Sequence, residues 1–247
     1  MKMFGNLGTD GLEKAGDVLG GGTLFDTGVY ENGTVTLAHA GSSASSKARS
    51  VTVHIDFDGR EYRETFWVTN RDGENFYLGR KEPRKKTVLP GFQAIDELCL
   101  ATTGQGLAEQ VFEEKVVKLW DFEARAEVPQ TVPVLTGILG AKVSAAIWRQ
   151  TVNRQKRNDQ GAYVDTGETR DENAVEKFFH AGSRRTVAEA MNGIEEAVFI
   201  DRWAERNAGR TRDRTRPAEG TSGAPGIPGA RPAPAPTPKP RTSLFGT

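Results

Sequence analysis

Ser50-Val51-Thr52-Val53-His54-Ile55-Asp56-Phe57, then Asp58-Gly59, then Arg60-Glu61-Tyr62-Arg63-Glu64-Thr65-Phe66-Trp67-Val68-Thr69 is the stretch on which the fold turns. Val51, Val53, Ile55 and Phe57 recur at the strand period of two and form one apolar face. Asp58-Gly59 supplies a strong hairpin turn into the next strand. There Tyr62, Phe66 and Val68 share one parity, while Arg63, Thr65, Trp67 and Thr69 share the other. Tyr62 and Phe66 are therefore assigned to the core, and Trp67 to a polar face. Thr34 to His39 alternates in the same way and adds an earlier strand.

Working outward, Pro90-Gly91 opens a helix in which Phe92, Ile95, Leu98 and Cys99 repeat at helical spacing, with proline well placed in the first turn. This helix is expected to cover the sheet. Val116 to Trp120 reads as a strand and Val134 to Leu139 as a short helix or turn. Lys142 to Trp148 alternates again, with Val143, Ala145 and Ile147 inward and Lys142, Ser144, Ala146 and Trp148 outward. The alternation weakens beyond Trp148, which predicts a bulge or strand end. Thr186 to Glu189 is a capping box, and apolar residues through Trp203 continue a second helix. Helices are expected to dominate after about Glu172. Three early strands, a helix and later strands give a mainly β protein with added helices (α+β). That is the element order of an oligonucleotide-binding (OB-fold) Greek-key barrel, although other small barrels fit the same order.

Of the 12 prolines in the 247 residues, eight fall between Pro217 and Pro240 among Gly and Ala. Such a segment buries too little apolar surface to offset its ordering entropy. The expected division is a domain over 1–207 and a disordered basic Pro/Gly/Ala-rich tail over 208–247. From Asn207 onward seven basic residues face only Asp213 and Glu219, a net +5; because the whole chain is neutral, the first 206 residues carry −5. Any polyanion surface there is a local groove on an acidic body. No run reaches the length of a membrane-spanning helix, and Met1 to Gly22 lacks the order of a signal peptide. A cytoplasmic protein is expected. Cys99 is the only cysteine and the three histidines are scattered, so neither an internal disulfide nor a metal site is expected.

Between Lys142 and Arg157 lie five basic residues, Lys142, Arg149, Arg154, Lys156 and Arg157, without an acid, and Trp148 stands among them. Phosphates call for Lys and Arg, and an unpaired base offers a flat face on which an indole can stack. Duplex DNA hides those faces, so the pairing points to single strands. Arg80, Lys81, Arg84, Lys85 and Lys86 form a second cluster just after Phe76 and Tyr77. Lys47 and Arg49 follow the small-residue stretch Gly41 to Ser46, a connection suited to closing over a ligand. The expected contacts are Lys47, Arg49, Arg63, Arg80, Lys85, Lys86, Lys142, Arg149, Arg154 and Lys156 to phosphates. Trp67 and Trp148 are expected to stack bases, with Phe76 and Tyr77 as further aromatic candidates. Leu244 and Phe245, the bulky apolar pair of the tail, form a candidate docking peptide for a partner.

Enzyme chemistry finds weaker support. Asp26-Thr27-Gly28 and Asp165-Thr166-Gly167 match the paired triplets of aspartic proteases, in which two carboxylates share a proton. The chain is short for a two-lobed enzyme, however, and the residues after each triplet lack the small hydroxyls expected there. No phosphate-binding loop sequence occurs. Asp56, Asp58, Glu61 and Glu64 sit among arginines that can pair with them, which disfavours a magnesium-dependent nuclease. The expectation is no catalysis and no cofactor.

The segments Val51 to Thr65, Pro90 to Leu100, Glu114 to Phe122 and Tyr163 to Arg170 resemble the single-stranded DNA-binding proteins of tailed bacteriophages. The likeness runs from about Phe4 to Arg214 and includes the closing Ser243 to Gly246. It implies an OB-fold barrel in the host cytoplasm that coats replication and recombination intermediates without sequence preference, and a monomer or homodimer is expected. In several such families an acidic tail recruits replication enzymes and competes with DNA; the tail here is basic, so only the docking role of Phe245 carries over. The alternative is a recombination mediator or replisome hub that recruits partners through its tail.

Overall fold

The structure is a computed structural model and describes residues 24–43, 46–79, 85–121, 124–158 and 163–216. The hairpin read first from sequence is its centre. Strands β1 (Gly28–Ser42), β2 (Arg49–Phe57) and β3 (Arg60–Trp67) pair antiparallel in succession, with Val51 opposite Phe66 and Ile55 opposite Tyr62. Asp58 and Gly59 both have positive φ, at 53° and 82°, as the tight turn between twisted strands requires. A short hairpin of β4 (Phe76–Leu78) and β5 (Lys86–Val88) follows and leads directly into α1 (Pro90–Thr103). Helix α1 ends at Gly104, whose left-handed φ of 75° closes the last turn.

After α1, β6 (Phe112–Asp121) and β7 (Ala126–Leu135) form a long hairpin that joins the sheet only where Val134 meets His39 of β1. A 3-10 turn at Thr136–Ile138 then delivers the chain into β8 (Lys142–Arg157), which pairs with β1 on one side and with β9 (Tyr163–His180) on the other. Helices α2 (Val187–Met191) and α3 (Val198–Asn207) follow, and β10 (Thr211–Asp213) lies parallel to β8. The expected capping box is present: Thr186 Oγ1 accepts the Glu189 N–H at 3.0 Å and Glu189 Oε2 accepts the Thr186 N–H at 2.8 Å.

Val35, Val51, Val53, Ile55, Tyr62, Phe66, Val143, Ile147 and Phe178 fill the inside of the curled sheet, and Ile95, Leu98 and Cys99 of α1 close one end. Fully burying each of the large aliphatic side chains stabilises by about 1.5–3 kcal/mol. Burial pushes the Cys99 thiol up to about 12.

Three expectations need correction. The sheet is mainly β and antiparallel as read, but no backbone ladder joins β3 to β9, so it is not a closed barrel. That seam is bridged by side chains: Glu64 accepts the Val175 N–H at 2.9 Å and the Tyr62 hydroxyl, Phe66 meets Phe178 with ring centroids 6.2 Å apart, and Lys177 of β9 pairs with Glu97 of α1 at 2.7 Å. Burial pushes the Glu64 carboxyl up to about 7. Second, helices do not take over after Glu172, because β9 runs to His180. Third, the face of β8 read as outward is covered. Ser144 and Ala146 are fully buried, and Ile200 and Trp203 of α3 pack on Ala146 and Phe179. The described residues continue past Asn207 through β10 to Arg216. The predicted irregularity near Trp148 is present as register shifts after Ala146 and after Asn153. Among the described residues, no helix is long and apolar enough to cross a membrane.

Candidate nucleic-acid interface

With Val51, Val53, Ile55 and Phe57 committed to the core, their neighbours Ser50, Thr52, His54 and Asp56 must face the other way. Across the β2–β3 ladder they meet Trp67, Thr65, Arg63 and Glu61 respectively. The outer side of this hairpin is therefore a row of small hydroxyl residues, of which Ser50 and Thr52 are buried and Thr65 is exposed, with an indole at one end and a guanidinium further along. Thr52 and Thr65 share a hydrogen bond of 2.9 Å within this row. His39 of β1 lies beside Thr52, and neither of its ring nitrogens has a partner among the described residues. Burial lowers its pKa, which keeps the ring neutral at pH 7. His54 Nδ1 is held by Glu61.

Trp67 is 50% exposed. Its backbone, in contrast, is tightly held. A Cβ at Gly91 would stand 2.3 Å from the Trp67 carbonyl oxygen, so only glycine lets the start of α1 pack against the end of β3. The same end of the sheet gathers two of the three basic segments. Lys47 donates its N–H to the Arg71 carbonyl at 3.1 Å, and the Arg49 N–H bonds Thr69 Oγ1 at 2.8 Å. The β4–β5 hairpin is tied in by Asn70 Nδ2 on the Phe76 carbonyl at 3.0 Å and by the Leu89 N–H on the Asn75 carbonyl at 2.9 Å. On that hairpin Tyr77 is exposed, Phe76 is half-buried, and the Lys86 ammonium lies 4.2 Å from the Phe76 ring centroid. Lys47, Arg49, Arg63 and Lys85 are exposed and form no ion pair with a described residue. Such cations meet a phosphate without first giving up a carboxylate.

The third basic segment behaves differently. Lys142 donates to Thr34 Oγ1 at 2.7 Å. Arg149 is bound by Asp171 at 3.1 Å and Asp26 at 3.4 Å, and Arg154 by Glu168 at 2.9 Å. Lys156 is exposed on the far part of the β8–β9 hairpin. Trp148 is not an open platform. Its Nε1 donates to Glu176 at 3.1 Å, Trp203 meets it edge-on with centroids 5.4 Å apart, and the Arg212 guanidinium lies 4.9 Å from its ring. The tract that stood out most in sequence is thus partly neutralised and lies along β8, separated from β2 by β1. Arg80, Leu244 and Phe245 lie outside the described residues.

A groove of about 550 Å³ runs between β3 and β9, with Arg63, Thr65, Arg170 and Asn173 among its lining residues. Glu61, Glu64, Asp171 and Glu172 line it as well, so its polarity is mixed. The two Asp-Thr-Gly triplets serve separate local contacts: Thr27 Oγ1 accepts the Arg149 N–H at 2.8 Å, while the Asp165 carboxylate accepts from Asn153 and Gln155. Among the described residues no three metal-ligating side chains gather.

Sequence reasoning missed the hydroxyl row, although it was implied as the complement of the core parity in β2. It also missed Arg212 and Trp203 as the cover of Trp148, since both are remote in sequence from β8. Comparison with family models, with curated proteins and with solved structures finds no match to this chain.

Proposed function

We propose that this protein binds single-stranded DNA without sequence preference across the outer face of β1, β2 and β3, protecting replication and recombination intermediates. The observation that carries this reading is the half-exposed Trp67 at the end of the hydroxyl row, beside cations that form no ion pair with a described residue. An exposed indole stacks any base, because every base has a π-face, and contributes about 1–3 kcal/mol per base. Lys47, Arg49, Arg63 and Lys85 neutralise phosphates, with Lys86 and Tyr77 on the same end of the sheet. Between them Thr65 is the exposed hydroxyl of this face, with Thr52 buried beside it.

The strand order β3-β2-β1-β8-β9, with α1 between the third and fourth of these strands in the chain, supports an OB-fold reading. That fold is a partly open five-stranded barrel which binds oligonucleotides on strands 2 and 3 and on its 1–2 and 4–5 loops. In this reading Lys47 and Arg49 belong to the 1–2 loop. Arg154 and Lys156 belong to the 4–5 hairpin, where they extend the path once Glu168 releases Arg154. Trp148 positions α3 and β10 against β8 and does not stack. Binding only single strands, the protein melts hairpins by mass action.

Titration of intrinsic tryptophan fluorescence with oligo-dT at several salt concentrations tests the reading. Stacking gives quenching, and phosphate contact gives affinity falling with salt at a slope near −0.7 per neutralised phosphate. An unchanged spectrum without binding refutes it.

A further inference from the structure

Strand β6 is ten residues long and is paired on one edge only, through β7; no described strand takes its other edge. Long open edges are templates for another strand. On one face of β6, Glu114, Val116, Lys118 and Trp120 are all exposed, Val116 at 69% and Trp120 at 45%. Lys115 on the opposite face is neutralised by Glu113 at 2.8 Å. Glu114 and Lys118, in contrast, make no ion pair with any described residue. Four residues along a strand place them about 13 Å apart, too far to pair with each other.

We propose that β6 is a homodimerisation edge at which a second copy of this chain adds its own β6 antiparallel, about a two-fold axis at Val116. In that register Val116 faces its own counterpart, Glu114 faces Lys118 of the partner subunit, and Lys118 faces the partner's Glu114. Phe112 faces the partner's Trp120, and the reverse pair repeats by symmetry. One strand sequence thus supplies both halves of an isologous contact. The neighbouring registers are worse: centring on Lys115 sets lysine against lysine, and centring on Val117 sets Glu113 against Asp121 of the partner subunit. Opposite charges favour directly facing positions in a sheet and like charges disfavour them. The self-complementary charge pattern therefore selects one register among those the edge offers, and this selection is independent of DNA binding.

Sedimentation equilibrium of the full chain over micromolar to hundreds of micromolar concentrations tests this. The parent protein is expected to dimerise. Glu114→Lys or Lys118→Glu alone puts like charges opposite one another twice and weakens the dimer by about tenfold or more. The double reversal Glu114→Lys with Lys118→Glu restores the complementary pattern and recovers the dimer, which separates a charge effect from a folding defect. As a register probe, Val116→Cys is expected to yield a disulfide-linked dimer under mild oxidation, because the native Cys99 is buried and the only cysteine. Val117→Cys, on the other face and opposite Lys115 of the partner subunit, is expected to give none. A parent that stays monomeric at every concentration overturns the proposal. So do single reversals that dimerise like the parent, or a double reversal that does not recover the dimer.

Discussion

Replacing Trp67 with alanine separates the two tryptophans that sequence alone treats as equivalent. The indole is 50% exposed while its backbone is fixed by the ladder partner Ser50 and by α1 at Gly91. Truncation therefore opens no cavity, and stability is expected to move by no more than about 0.5 kcal/mol. Loss of one stacked base costs about 1–3 kcal/mol, which weakens oligo-dT binding by about 5- to 150-fold. Trp148→Ala does the opposite. It removes a ring set between Trp203 and Arg212 and the hydrogen bond to Glu176, at a cost of about 2–4 kcal/mol for a partly buried aromatic. Affinity of the remaining folded protein is unchanged. Fluorescence resolves the contributions, because the chain has four tryptophans: Trp67→Phe abolishes DNA-dependent quenching and Trp148→Phe retains it. Thermal melts measured alongside the titrations supply the stability arm. The reasoning is refuted if Trp67→Ala binds like the parent, or if quenching disappears with Trp148→Phe and survives Trp67→Phe.

Phosphate contacts are read from salt dependence: Lys47→Ala and Arg49→Ala each lower the slope of log affinity against log salt by about 0.7, whereas Arg149→Ala leaves it unchanged because Asp171 and Asp26 already hold that charge. Gly91→Ala drives a methyl into the Trp67 carbonyl and is expected to destabilise by about 1–3 kcal/mol, seen as a lowered Tm. The Glu64 carboxyl, raised to about 7 by burial, binds its proton more tightly folded than unfolded. Its contribution to stability is thus complete below about pH 4.5 and is lost as pH rises toward 7. Denaturant titrations from pH 4 to 8 are expected to show Glu64→Gln gaining on the parent as pH rises; parallel curves contradict the assignment.

The β2–β3 hairpin was legible because one face is apolar and the other polar, so alternation, turn chemistry and the exposure of Trp67 all read directly from residue type. Helix α1 was legible from Pro90 and its apolar spacing. Strand β9 was not, because Thr169 to Asn173 are polar on both faces where the β8–β9 hairpin stands clear of the core. Nor was the cover on β8. Ser144 and Ala146 are small enough to suit either solvent or a packed helix, and the residues that decide the matter, Ile200 and Trp203, come more than fifty positions later. Trp148 was misjudged for the same reason: parity gives the side of the sheet on which a residue lies, not what lies over that side. Charge was equally opaque, since whether Arg149 is available depends on Asp26 and Asp171, which the fold alone brings to it.

The seam between β3 and β9 gives the ring of strands one compliant joint. Separating any other pair of neighbours in this ring breaks a run of backbone hydrogen bonds, whereas this joint is held by side chains: the Val175 N–H on the Glu64 carboxyl, the contact between Phe66 and Phe178, and the Lys177–Glu97 pair to α1. Amide exchange at Val175 is accordingly set by a side chain, and the groove bounded by Arg63 and Arg170 can change width while every ladder in the sheet stays intact.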